Sequence, residues 1–188
     1  MVDVISLWLP VLASAVLIFV VSSVIHMATP WHKRDYARVP DEDGVMQALR
    51  PFGLQSGDYM LPRPSGMDEM RSSAFAEKVK RGPRVVMTVL PAGPMSMGKN
   101  LIGWFAYLLV VAALVALLDA IVLRPGAHHH DVFHVTVIAA FLGYAAALWQ
   151  MVIWYNRSIG TTLRSTIDGV IYALVTAGVF SYFWPGAS

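Results

Sequence analysis

Hydrophobic residues in this chain are concentrated in four long runs that are almost free of charged side chains. The runs cover residues 5–28, 101–123, 132–155 and 162–184. About 20 apolar residues in a helix are enough to cross the ~30 Å hydrocarbon layer of a bilayer, because a helix rises 1.5 Å per residue. The pattern therefore predicts an all-α membrane fold with four transmembrane helices.

The segment 29–99, between the first two runs, has a different pattern. Acidic residues at 41–43 precede a few apolar positions, which is typical of an acid-capped short helix. Residues 68–80 are typical of a second helix, acidic at its start and basic at its end. A β-prone run at 85–90 can pair with residues 59–61. We expect a small α+β cap with too few apolar residues to fold alone, so it should bind the bilayer surface or a partner.

The Lys and Arg residues predict the orientation of the chain. Eleven of the fourteen lie in the segment 29–99, and Arg157 and Arg164 fall on the same side of the membrane, which leaves Arg124 alone on the other side. Positively charged flanks stay in the cytoplasm. Both termini are therefore expected in the periplasm, with the basic segment in the cytoplasm. Trp31 is expected to anchor the end of the first helix at the interface.

Composition narrows the class of protein and of partner. The chain is 56% hydrophobic and only 14% charged, whereas a soluble domain is about 25% charged. The absence of cysteine from the sequence excludes disulfide frameworks, thiolate metal sites and cysteine nucleophiles. The net charge of +2 comes from basic residues mixed with acids. That mixture favours membrane lipids or a protein as the partner and does not favour nucleic acid.

Placing an ionisable side chain at the centre of a bilayer costs about 2.5–3.5 kcal/mol, so each such residue is expected to have a partner or a function. This sequence has two groups of them. The first group, here called the His130 cluster, lies near the predicted periplasmic face. Its members are Asp119, His128, His129, His130, Asp131 and His134. His130 and His134 are four residues apart and share a helix face, as a pair of imidazole ligands requires. With Asp119 as a ligand or hydrogen-bond acceptor, they predict a Zn²⁺ or Cu²⁺ site. The alternative is a polar turn in which one histidine satisfies Asp119.

The second group, here called the His32 cluster, lies near the predicted cytoplasmic face and comprises His26, His32, Asp35, Arg164 and Asp168. If the first and fourth helices are neighbours, His26 and Asp168 can pair, with Arg164 one turn nearer the surface. One interpretation is a proton relay or an anion-binding pocket. The other is a structural pair that fixes helix register, with Arg164 extending to the lipid headgroups.

Small residues recur every four positions on the third and fourth predicted helices. The stripes are Ala139, Gly143 and Ala147 on the third, and Gly169, Ala173, Ala177 and Ser181 on the fourth. Such stripes let two backbones approach closely, which drives helix packing in lipid.

Several short motifs resemble those of a known family. They are HMATPWHKRDY at 26–36, PDED at 40–43, DGVIY at 168–172 and the Trp-Pro pair at 184–185. Together they resemble a family of small uncharacterised bacterial inner-membrane proteins with four predicted spans. The resemblance implies a bacterial inner-membrane setting, and it implies no activity and no site residues.

The sequence contains no Ser, His and Asp in a coherent catalytic order and no paired carboxylates at a membrane face. We therefore expect no enzymatic activity, and no cofactor apart from the predicted metal ion. The favoured interpretation is an accessory or assembly subunit that packs against other subunits of a larger membrane complex or against a second copy of itself. The alternative is a small metal-handling or proton-coupled transport protein that uses the polar clusters at its two faces.

Overall fold

The computed structural model describes residues 2–94 and 96–186. The chain is mostly helical and has four helices that are long and apolar enough to cross a membrane: Val4–Ala28, Met97–Val122, His129–Tyr155 and Ile159–Tyr182. It divides into two compact units. One combines residues 2–37 with residues 96–186 and contains all four of these helices, here called spans for their length and hydropathy, and the other comprises residues 38–94.

The first span changes helix type along its length. A 3-10 turn at Val4–Leu7 leads into helix α1, Trp8–Ser23, which continues as a π-helical turn at Val24–Ala28. Thr29 is extended, as expected for a residue that precedes proline. The π turn adds a residue to the helical repeat, and such turns are frequent at functional sites. Here it positions His26.

The other spans begin a few residues before their apolar runs because side chains cap them. Helix α5, Met97–Val122, is capped by Ser96, whose hydroxyl accepts the Lys99 N–H. Helix α8, Ile159–Tyr182, is capped in the same way by Ser158. Since capping residues satisfy N–H groups that have no helical partner, the helices extend into polar sequence that hydropathy alone leaves out.

The third span is predicted as one continuous helix, but the structure interrupts it. Helix α6, His129–Tyr144, is followed by a 3-10 turn at Ala146–Leu148 and by helix α7, Trp149–Tyr155. The Gly143 carbonyl near the interruption accepts a hydrogen bond of 2.8 Å from the Tyr107 hydroxyl of α5. Within a bilayer a carbonyl freed from its helix needs such a partner.

Helices α1, α5, α6 and α8 form a ring in which each contacts the next along the chain and α8 returns to contact α1. The most extensive contact joins α6 and α8. The largest fully buried apolar side chains come from every span and are Leu7, Ile18, Leu108, Val132 and Phe180. The core of this unit therefore lies along the axis of the four-helix ring.

The small-residue stripe on α8 is used inside the chain. Gly169, Ala173 and Ala177 are buried, and a Cβ added at Gly169 would lie 2.6 Å from the Ala145 Cβ. Gly143 is similarly close to Val111. These residues let the third span approach its neighbours, so the α8 stripe stabilises the bundle itself.

The unit at residues 38–94 contains short elements in the predicted order. They are α2 (Glu42–Leu49), β1 (Gly57–Leu61), α3 (Met67–Met70), α4 (Ser73–Arg81) and β2 (Val85–Val89). β1 and β2 form an antiparallel two-stranded sheet in which Tyr59 pairs with Met87, which confirms the predicted small sheet. The predicted helix at 68–80 is divided into α3 and α4, because Ser72 caps a new helix by accepting the Phe75 N–H.

None of the described residues in this second unit is buried. Its large apolar side chains are instead partly or fully exposed, including Phe52 at 72% and Leu90 at 69%. The unit therefore lacks a core of its own, as its low number of apolar residues predicts.

The close contact at Gly169 makes a stability prediction. Gly169→Ala adds a methyl group against the Ala145 Cβ, and overpacking of this kind costs about 1–3 kcal/mol. Gly178→Ala is the matched control, since a Cβ at Gly178 meets no atom within 4 Å. In detergent-solubilised protein we expect a lower thermal unfolding midpoint for Gly169→Ala and an unchanged or higher one for Gly178→Ala. Equal midpoints for the two variants would contradict this account of the packing.

Candidate functional site

The His32 cluster is assembled by the turn that follows the first span. The Lys33 N–H donates to the Pro30 carbonyl and the Asp35 N–H to the His32 carbonyl, both at 3.1 Å. These two tight turns reverse the chain, and the Thr161 hydroxyl holds the turn against the start of α8 by donating to the Asp35 carbonyl. The turn thereby brings its side chains to those of α8.

His32 lies between two carboxylates. Its Nδ1–H donates to Asp35 Oδ2 over 2.6 Å, and its Nε2 lies 2.8 Å from Asp168 Oδ2. The first contact is a well-formed hydrogen bond. The second is equally close, but Asp168 Oδ2 is off the line of the ring nitrogen, so Nε2 has no true hydrogen-bond partner. Because Nδ1 carries the hydrogen that is given to Asp35, the second contact is an ion pair only when Nε2 is protonated as well.

Asp35 is also bound by Arg164. The Nε and Nη2 groups of Arg164 both donate to Asp35 Oδ1, at 2.7 and 2.6 Å. Burial raises the pKa of Asp35. The hydrogen bonds from His32 and Arg164 and the nearby positive charge lower it by a larger amount, so the pKa of Asp35 lies below the ordinary value. Asp35 is therefore ionised at neutral pH, and Arg164 neutralises it.

Asp168 is buried on α8, with its side chain 5% exposed. The indole N–H of Trp31 donates to Asp168 Oδ1 at 3.1 Å, while Oδ2 faces His32. A buried carboxylate is stable only when such partners replace water. Trp31 is thus a member of the site as well as the interface anchor that the sequence predicts.

His26 completes the group and is the residue that bears on metal binding. Its Nδ1–H donates to the Ser22 carbonyl, and its ring stacks on that of His32 with centroids 4.3 Å apart and planes 9° apart. Ligand atoms of His26, His32 and Asp168 lie within 4.8 Å of one another, a spacing that could hold a metal ion. However, an ion binds in the plane of each imidazole at about 2.0–2.1 Å, and two parallel stacked rings share no such plane. Metal binding here requires the exposed His26 ring to rotate.

The structure brings the five predicted residues of this cluster together but pairs them differently. The sequence predicts a His26–Asp168 pair with Arg164 beside it. In the structure Asp168 contacts His32 and Trp31, and Arg164 contacts Asp35. The first and fourth spans are neighbours, as that prediction required. Trp31 could have been identified from the sequence as a member of the site, because its indole N–H needs a hydrogen-bond acceptor when it leaves water.

The predicted residues of the His130 cluster are only partly brought together. The rings of His130 and His134 lie 4.0 Å apart, as their helical spacing predicts, and His134 Nδ1–H donates to the His130 carbonyl. Asp119 is fully buried and accepts a 2.6 Å hydrogen bond from the Thr136 hydroxyl. Among the described residues no ion pair joins Asp119 to a histidine. The Zn²⁺ or Cu²⁺ site at His130, His134 and Asp119 stays a prediction.

A cavity of about 1000 Å³ lies beside the His32 cluster and is lined by residues from all four spans. His26 and Asp168 form part of its wall, so the cluster opens onto the cavity. Tyr172 also lines it, and its hydroxyl is buried without a hydrogen-bond partner among the described residues. This cavity could not be predicted from the sequence, because its lining residues are far apart along the chain.

Comparison with known proteins gives no match to a protein-family model, to a curated protein or to a solved structure.

The bonding of Asp35 makes a pH-dependent prediction. Asp35→Asn removes the charge that His32 and Arg164 contact, and we expect a loss of about 2 kcal/mol in the free energy of unfolding at pH 7. Because the folded pKa of Asp35 is lowered, this stabilisation is complete above about pH 4 and decreases as the pH falls through the folded pKa. Unfolding of the parent and of Asp35→Asn in detergent between pH 3 and 8 measures the difference in their free energy of unfolding.

Asp131→Asn, at an exposed position, is the control. A difference between the parent and Asp35→Asn that grows below pH 4 would rule out this role of Asp35.

Proposed function

We propose that this chain is a multi-pass protein of the bacterial inner membrane, with residues 29–99 in the cytoplasm and both termini in the periplasm. The proposal is supported by the four apolar helices and by the position of eleven of the fourteen Lys and Arg residues in that segment. Reporter tags at the two ends should report the same compartment.

For its activity we propose a small proton-coupled transport protein, in which the His32 cluster holds the proton. The single observation behind this proposal is the position of Asp168. It is buried, contacts His32 and lines the cavity. The carboxylate of Asp168 can therefore contact both His32, which can carry a proton, and a ligand in the cavity.

The charges of the cluster explain why a proton belongs there. Arg164 neutralises Asp35, so with a neutral His32 the remaining net charge is the −1 of Asp168. An isolated charge removed from water is costly. A proton shared between His32 and Asp168 cancels it, and so does a cation bound in the cavity. Competition between a proton and a cation for the carboxylate of Asp168 couples the binding of one to the release of the other.

This proposal predicts an electrical signal from the protein alone. In proteoliposomes on a solid support, a pH jump should give a transient current as the site takes up or releases protons. Asp168→Asn should abolish the current because no charged carboxylate remains at the cavity. Asp119→Asn is the control, since it removes a buried acid that contacts Thr136 and not the cluster. A parent protein without a pH-jump current would refute proton coupling.

The second candidate function is that of an accessory or assembly subunit. It is favoured by one observation, which is that residues 38–94 expose large apolar side chains such as Phe52 and Leu90 and include no buried residue among those described. A surface of this kind is stable when lipid, a partner protein or a second copy covers it. The small-residue stripe of α8 gives no additional support, since it packs against the third span within the chain.

This candidate is checked by the composition of the purified particle. Extraction in a mild detergent should give a co-purifying membrane protein or a homo-oligomer, with a mass determined by light scattering or native mass spectrometry. Phe52→Ser and Leu90→Ser should weaken the association because they remove apolar contact area. A matched substitution on the lipid-facing side of a span, Ile102→Ser, should leave it intact. A clean monomer would count against the accessory role.

A further inference from the structure

We propose that His26, His32 and Asp168 bind a divalent transition-metal ion such as Zn²⁺. This inference deepens the transport proposal, because it names the class of cation that competes with the proton for Asp168. Its role in transport rests on that proposal, whereas the binding step stands on the geometry of the His32 cluster. The site is distinct from the metal site that the sequence predicts at the His130 cluster.

The three side chains carry donor atoms that suit such an ion, at distances it can bridge. One ligand atom from each of His26, His32 and Asp168 lies within 4.8 Å of the other two. Some point is therefore within about 2.8 Å of all three atoms, and shifts of about 0.8 Å bring them to the Zn²⁺ bonding distances of about 2.0–2.2 Å. Two imidazoles and one carboxylate form a donor set of zinc sites that keep a fourth position open.

The hydrogen bonds of the two imidazoles leave the same nitrogen free in each ring. His26 Nδ1 lies 2.9 Å from the Ser22 carbonyl oxygen, and His32 Nδ1 lies 2.6 Å from Asp35 Oδ2. Both oxygens can only accept, so each Nδ1 carries a hydrogen and each neutral ring has its lone pair at Nε2. A lone pair at Nε2 is what a metal ion binds.

The contact between His32 and Asp168 has the geometry of two ligands of one ion. His32 Nε2 lies 2.8 Å from Asp168 Oδ2 and has no hydrogen-bond partner among the described residues. With His32 neutral, two electron-rich atoms face each other and repel unless a positive charge lies between them. An ion about 2.1 Å from two ligand atoms, at an angle of about 90–110°, places them about 3.0–3.4 Å apart and about 35–45° off each other's bonding line. An oxygen off the line of Nε2 fits this arrangement, whereas a hydrogen bond needs it on that line.

His32 and Asp168 are already held in position by other side chains. Asp35 accepts from His32 Nδ1 and is itself bound by Arg164. A carboxylate on the second ring nitrogen is the usual support of a metal-binding histidine, since it fixes the orientation of the ring and raises its basicity. The Trp31 indole N–H donates to Asp168 Oδ1 and leaves Oδ2 for the ion. Two of the three ligands are therefore preorganised.

His26 is the ligand that moves. Its ring is parallel to that of His32 within 9°, and a shared ion needs the two ring planes to cross. His26 is exposed and lines the cavity, so its ring has room to rotate. The rotation breaks the stacking contact and the hydrogen bond to the Ser22 carbonyl, and a metal–nitrogen bond replaces them. We therefore expect His26 to close onto an ion already held by His32 and Asp168.

The cavity gives the ion access to these ligands. His26 and Asp168 both form part of its wall, so water from the cavity can occupy the fourth position. The guanidinium of Arg164 is bound to Asp35 and does not compensate Asp168. Lys99 also lines the cavity but is exposed, and it can extend its ammonium group into water. An entering cation therefore meets the uncompensated charge of Asp168.

The donor set determines which class of ion is bound. Imidazole nitrogens suit Zn²⁺ and its neighbours in the first transition row, whereas Mg²⁺ prefers oxygen ligands and retains its water. The sequence contains no cysteine, so no thiolate is present to favour a softer ion such as Cu⁺. A divalent transition-metal ion is the class that fits.

The test is titration calorimetry with Zn²⁺ on the full chain in a non-ionic detergent, purified without a histidine tag. The starting protein carries His130→Ala and His134→Ala, so that the other candidate site cannot contribute. We expect one Zn²⁺ per chain and no binding of Mg²⁺. His32→Ala should weaken Zn²⁺ binding at least about hundredfold, and Asp168→Asn at least about tenfold. His129→Ala, which loses a contact with the Ser181 carbonyl near the other end of α8, should leave it unchanged.

His26→Ala is the decisive variant, because it removes an exposed side chain and leaves the contacts of His32 and Asp168 in place. Its affinity for Zn²⁺ should be at least about tenfold lower. X-ray absorption at the zinc edge should show two imidazole ligands in the starting protein and one in His26→Ala. A starting protein that binds no Zn²⁺, an unchanged affinity or ligand count in His26→Ala, or equal binding of Mg²⁺ and Zn²⁺ would overturn the inference.

The pH-jump current separates this inference from the transport proposal, because it is measured without the metal ion. Zn²⁺ binding with the expected variant ratios, together with the absence of a current, supports the metal site and contradicts the proton coupling. A current from a protein that binds no Zn²⁺ overturns the metal site alone.

Discussion

A carboxylate removed from water must have its charge balanced by the protein, and Asp168 imposes this constraint on one end of the bundle. It is buried on α8, and its two oxygens face Trp31 and His32. Both partners come from the turn after the first span. Asp35 and Arg164 then fix that turn, since Asp35 contacts His32 on one side and Arg164 on the other. The contact between the first and fourth spans is thus tied to one buried charge.

The opposite cluster contains a second buried acid, and among the described residues no ion pair balances it. Asp119 is also buried, and the Thr136 hydroxyl donates to it across the α5–α6 contact. Asp119 thus has a neutral partner within the bundle, and the nearby histidines are exposed. Two buried acids in one chain therefore have different surroundings. Asp119 has a single hydroxyl contact, whereas Asp168 belongs to a network of titratable groups that opens onto a cavity.

Much of this architecture could be predicted from the sequence because hydropathy and capping are local properties. The four helices and the antiparallel pairing near Tyr59 follow patterns that can be read along the chain, whereas the adjacency of the first and fourth spans was only a condition of the predicted His26–Asp168 pair. The division of the third span was not predicted, since no local pattern indicates it and the Gly143 carbonyl near the break has its partner, the Tyr107 hydroxyl, 36 residues away. The partner of Asp168 was missed for a similar reason. His26 and His32 are both close to the end of the first span, and the tight turns after Pro30 decide which of them reaches α8.

The interruption of the third span has a mechanical consequence. Tyr144 is the last residue of α6 and Leu148 lies at the end of the 3-10 turn, and both line the cavity. The regular hydrogen-bond ladder is already broken at Ala145, whose backbone is not helical. Bending at this point therefore breaks few further backbone bonds, in contrast to bending within an intact helix. The third span is therefore least resistant to bending at the level of the cavity, where Tyr144 and Leu148 lie.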